Sequence, residues 1–187
     1  MENRQQTFII ENYPWDTSDY RPRSVVTLTM LPQALKVQFV AWESPVRAVE
    51  TQHNTKVWCD SCVEMFLQPD PEEDPRYINF ECNPNGAVYC AVNTPGKDDV
   101  KLSAEVIKTF QPQTAVYDDH WEAALTIPAE VLRQIFPGYV HAAGTRIRGN
   151  FYKCGDKTER PHFGCWKPID WHKPCFHLPQ FFGDIIL

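Results

Sequence analysis

The chain has 187 residues, a net charge of −6 at pH 7, 22% charged residues and 43% hydrophobic residues. This length suits one domain, residues 1–187, with a core of its own, and the composition excludes a disordered chain. The acidic balance, with no local Lys/Arg cluster, excludes a nucleic-acid groove, and no apolar run is long enough to cross a membrane.

The start, MENRQQTFII, lacks the basic region and long apolar stretch of a secretory signal, which points to the cytoplasm. From there alternation dominates. SVVTLTM is a β-branched strand, and ALKVQFVAW follows it across Leu-Pro-Gln. In the second strand Leu35, Val37, Phe39 and Ala41 share one face, with Lys36 and Gln38 on the other. VEMFLQ is a third strand, stopped by the acidic, proline-rich PDPEEDP. YINFECNPNGAVYCAVN reads as a hairpin around Asn83-Pro84-Asn85-Gly86, where Gly86 can take positive φ. HWEAALTI alternates again, with Trp121, Ala123, Leu125 and Ile127 on one side. The segment from Pro128 to Pro137-Gly138 is the one predicted helix. TRIRGNFYK and GDIIL complete the strands. Sixteen prolines and 13% aromatic residues agree with many strands and rigid loops. The expected fold is all-β: an antiparallel β-sandwich with one short helix.

Four groups of residues carry possible chemistry. Cys59-x-x-Cys62 is half of a zinc site, but no second C-x-x-C or histidine pair completes it. His141, His162, His172 and His177 lack ligand spacing, so no metal site is expected. The seven cysteines are an odd number at scattered spacings and fit reduced thiols. Glu64 and Glu81 lie on different strands. Glu64 shares its face with Phe66 and Gln68, and Glu81 shares its face with Tyr77 and Asn79. Should those faces line one concavity, the two acids form a glycosidase-like pair; otherwise they belong to a hydrogen-bonding sheet face. Arg146, Arg148, Asn150 and Tyr152 share a face of a later strand. Guanidinium groups, an amide and a phenol suit a sugar, whose C–H patches and hydroxyls call for rings and a few fixed polar groups. Trp166 and Trp171 stand in a proline-rich tail. They either pack, as buried tryptophans do, or face Trp58 as a clamp.

Taken in order, VWCDSCVEMFLQP, YINFECNPNGAVY, HWEAALTIPAEVL, GNFYKC, CWKPI and FHLPQFFGDIIL resemble the segments of family 9 carbohydrate-binding modules and the wider DOMON-like, jelly-roll β-sandwiches. The resemblance spans most of the chain. It implies a non-catalytic domain whose partner is a mono- or oligosaccharide, held by two tryptophans with an acid gripping the hydroxyls. By matching motif, Trp58 and Trp166 are the plates and Glu64 is the acid. Asn85 stands at a turn where a relative offers arginine. Glu81, Arg148, Asn150, Tyr152 and Trp171 complete the expected site. NYPWD replaces the family's usual opening, so calcium is allowed by the resemblance without identified ligands, and no other cofactor is expected. Haem, bound in some relatives by Met and His, finds only Met1, Met30 and Met65 here. Two alternatives accompany this reading: a carbohydrate-active enzyme with Glu64 and Glu81 as acid and base, and an interaction domain with a decayed sugar site.

Overall fold

The computed structural model describes residues 4–15 and 19–187; Asp16 of NYPWD lies outside them. Among the described residues, twelve strands form two antiparallel sheets. The first contains β1 (Arg4–Ile10), β2 (Ser24–Leu31), β3 (Ala34–Ala41), β8 (Gln113–Val116) and β9 (Trp121–Pro128), in the order β1-β2-β3-β9-β8. The second contains β4 (Cys62–Gln68), β5 (Tyr77–Cys82), β6 (Val88–Asn93), β7 (Val100–Lys101), β10 (Arg146–Cys154), β11 (Phe163–Cys165) and β12 (Gly183–Ile186). Its path is β11-β10-β4-β5-β6-β7, with β12 paired to the first half of β10. The all-β sandwich expected from alternation is therefore what forms. A second helix joins the predicted one. Beside α2 (Ala129–Ile135) stands α1 (Ala104–Lys108), whose Ser103 side chain caps the Val106 amide.

The core lies between the sheets, where period-2 alternation puts it. Val26, Leu28, Leu35, Val37, Phe39, Trp121, Leu125 and Ile127 of the first sheet meet Met65, Leu67, Ile78, Phe80 and Phe151 of the second. Lys153 also points inward from β10 and is fully buried. Its ammonium pairs with Glu43 at 2.8 Å, contacts His162 Nε2 at 2.8 Å and faces the Trp121 ring. Trp121 Nε1 donates to the same carboxylate at 3.1 Å. A charge on the core face is tolerable only with such a complete set of partners.

The second sheet is buried on its outer face too, since every residue of β4 and β5 is buried. Its cover comes from loops: the 3₁₀ turn Val57–Cys59 on one side and residues 163–182 on the other. No helix among the described residues is long and apolar enough to cross a membrane.

Candidate functional site

Strand register sets the site. Tyr152 stands opposite Glu64, Glu64 opposite Glu81, and Glu81 opposite Tyr89. Four neighbouring strands thus carry Tyr152, Glu64, Glu81 and Tyr89 in one row across the outer face. Directly opposed side chains are near enough to interact, so the two glutamates share one environment although they stand on separate strands.

Part of this row is the floor of an open cavity of about 880 Å³. Glu64, Glu81 and Cys154 lie at its base. Trp58, Tyr77, Tyr89, Phe163 and Phe176 supply rings, and Lys97, Asp98, Asp99 and Asp156 stand at the exposed rim. Trp58 is held by its own turn. The buried Asp60 carboxylate accepts from Arg47, from the Val49 and Glu50 amides and from Asn83, at 2.8–3.1 Å. These bonds tie the preceding loop to the β5–β6 turn. The Trp58 carbonyl accepts from the Asp156 amide at 3.1 Å. Its ring meets Tyr89 edge-on at 5.3 Å, and Tyr89 donates its hydroxyl to Asp99. Phe176, also lining the cavity, stacks flat on Tyr152 at 4.1 Å, and the Tyr152 hydroxyl donates to the Phe176 carbonyl at 3.2 Å. His177 Nδ1 bonds the Tyr77 hydroxyl at 2.8 Å.

The floor is short of counter-charge. Burial raises both carboxyls: Glu64 well above the usual range, helped by Cys154 and Glu81, and Glu81 to about 8. Glu64 accepts from the Cys154 thiol at 2.9 Å, and Glu81 Oε1 accepts from Asn79 at 2.7 Å. Glu81 Oε2 has no partner, although the residue is only 4% exposed. Buried carboxyl oxygens are rarely left so.

Among the described residues, one group has three candidate metal-ligating atoms close together: Cys62, Glu64 and Cys154, within 4.8 Å of one another. Cys59 is not part of it. Burial pushes the Cys62 thiol up to about 12. Calcium takes six to eight oxygen ligands, so two thiols and one carboxyl do not fit it.

Of the nine residues expected at the site, Trp58, Glu64 and Glu81 line the cavity. The other six do not. The Trp58–Trp166 clamp is corrected by packing: the Trp166 ring sits against Phe8 at 4.7 Å and Phe151 at 5.8 Å, on the core side. Tyr152 is fully buried beneath Phe176. Asn150 is buried as well and bonds the Lys167 backbone through both ends of its amide. Arg148 donates to the Phe182 carbonyl at 2.7 Å. Asn85 is exposed at the turn and donates to the Glu50 carbonyl. Trp171 is exposed, with its carbonyl accepting from Trp15. Tyr89, Asp99, Asp156, Phe176 and His177 were missed. Alternation along VYCAVN would have found Tyr89; the rest come from loops, which carry no such period.

Comparison with known proteins agrees with this architecture. No curated protein matches the chain. Among solved structures, it is similar to a candidate carbohydrate-binding protein from Bacteroides uniformis ATCC 8492, at 31% identity and a TM-score of 0.86 over 96% of this chain and 84% of that one. It shares its fold with a family 9 carbohydrate-binding module from Caldicellulosiruptor kristjanssonii. In complex with cellotriose that module gives 16% identity and a TM-score of 0.64, over 97% of this chain and 81% of that one. In complex with glucose it gives 15% and 0.62, over 96% and 82%. The model of carbohydrate-binding family 9 matches residues 1–187, and the chain belongs to that family.

Proposed function

We propose that the cavity over the second sheet holds a carbohydrate without cleaving it. The observation that supports this reading most is the placement of the Trp58 ring beside the buried Glu64 and Glu81 in one open cavity. A sugar ring presents C–H groups to an aromatic face, and its hydroxyls both donate and accept. A protonated carboxyl does the same, so the neutral floor suits hydroxyls. In place of Trp166 we infer Phe176, which also lines the cavity, as the second plate.

The enzyme alternative gains nothing from this geometry. A glycosidase needs its two carboxyls to flank the bond, with one protonated and one charged. Here burial raises both, so neither is the charged partner such a pair needs. The seven unpaired cysteines, six of them buried, favour a reducing compartment such as the cytoplasm.

Calorimetric titration with glucose and cellotriose tests the proposal. Binding is expected for the native chain and should fall at least about tenfold, roughly 1.4 kcal/mol, in Trp58→Ala. The Trp58 ring is half-buried at the surface, so the variant should keep its fold. Unchanged affinity in that variant would remove the cavity from consideration.

A further inference from the structure

The cavity is lined mostly by acids. Asp98, Asp99 and Asp156 stand at its rim with Lys97, while Lys157 lies near Asp156 and Lys101 stands over the Tyr89 ring; Glu64 and Glu81 form the floor, where burial keeps them protonated. His177 adds no fixed charge, since burial lowers its pKa and its Nδ1 is engaged by Tyr77. At the base, Glu81 Oε2 is buried and has no donor. Its neighbours cannot supply one. Asn79 serves Oε1, the Cys154 thiol serves Glu64, and the Tyr89 hydroxyl serves Asp99.

Resting on the carbohydrate reading above, we propose that the site prefers a hexose bearing a free amine, such as glucosamine, and rejects uronic acids. An ammonium brings three donors and a positive charge. Placed at the floor, it satisfies Glu81 Oε2 once that carboxyl gives up its proton. Hydrogen bonds between ionised groups are about twice as strong as neutral ones. A hydroxyl at the same place supplies one neutral bond. The carboxylate of a uronic acid meets Asp98, Asp99 and Asp156 at the rim and brings no donor to Glu81 Oε2. Burial keeps the empty pair protonated; an ammonium reverses that preference by the opposite-charge effect and so releases protons on binding.

The test is a set of titrations of the intact chain at neutral pH with glucosamine, N-acetylglucosamine, glucose and glucuronate. Glucosamine should bind at least about tenfold more tightly than glucose. N-acetylglucosamine, which keeps the nitrogen but not the charge, should bind no more tightly than glucose, and glucuronate should give no signal. The heat of glucosamine binding should vary with buffer ionisation enthalpy, reporting the released protons. In Glu81→Gln the glucosamine-to-glucose affinity ratio should fall toward one. Should that variant not fold, Asp156→Asn at the exposed rim should lower the ratio less. Equal affinity for glucosamine and glucose in the native chain would overturn this inference and leave carbohydrate binding standing. Binding of none of these four sugars, nor of cellotriose, would overturn both.

Discussion

Replacing Glu81 by Gln should change how stability depends on pH. Burial raises the folded carboxyl from its ordinary 4.5 to about 8. Below pH 4.5 it is protonated in both folded and unfolded chains, and burial costs nothing in ionisation. Between 4.5 and about 8 the unfolded chain releases the proton and the folded chain retains it. Stability from this group is therefore lost as pH rises, by about 1.4 kcal/mol per pH unit, or roughly 3 kcal/mol by neutral pH. Glu64 acts in the same direction. The histidines oppose it at lower pH. His162 is lowered to about 3 and His53 and His177 are lowered from 6.5, so their contribution is lost as pH falls below 6.5. Above 6.5 they are neutral in both states, and the two glutamates dominate the slope. Urea unfolding at a series of pH values between 6.5 and 8 should show native stability falling steeply and the Glu81→Gln variant falling by about one proton less. The slope is the readout, because the new amide also alters a hydrogen bond and shifts absolute stability by about 1–3 kcal/mol. Identical slopes would mean that Glu81 is already ionised in the folded protein, and would refute the account of the cavity floor.

Lys153→Met should cost about 3–5 kcal/mol in urea unfolding, because it strands Glu43 in the core; adding Glu43→Gln should restore most of that loss. A double variant no more stable than the single one would show that the pair's attraction, not the stranded charge, dominates. Trp166→Ala should lower stability by about 3 kcal/mol while sugar titrations of the folded fraction stay near native affinity, since its ring packs on Phe8 and Phe151. Lost binding at full stability would return Trp166 to the site.

The inward faces were legible because their period is local. Leu35, Val37 and Phe39 need only their own strand to declare a side, and the central strands of both sheets were readable in this way, whereas β1, β7, β8 and β11 were not. The faces of Glu64 and Glu81 followed from the same rule. Their direct pairing did not, since register depends on the β4–β5 connection and on what packs beneath. Lys153 shows the limit most clearly. Alternation after Ile147, Gly149 and Phe151 points it inward, whereas its charge argues outward; Glu43, supplied by a distant loop, lets the first rule win. Ser103 before Ala-Glu-Val-Ile was a capping signal for α1, but five residues offer too little periodicity to recognise.

By itself the sequence determined the sandwich, the two acids on its outer face and the family resemblance. All of these rest on short-range alternation or on motifs that keep their order. Only the tertiary structure decided which rings meet. Trp166 has the same ring as Trp58 and lies in a loop as Trp58 does, yet it turns into the core, while Phe176 and Tyr89 line the cavity. A loop residue has no periodic neighbour to fix its side. Its direction is set by whichever surface it can cover, and that surface exists only once the two sheets have closed.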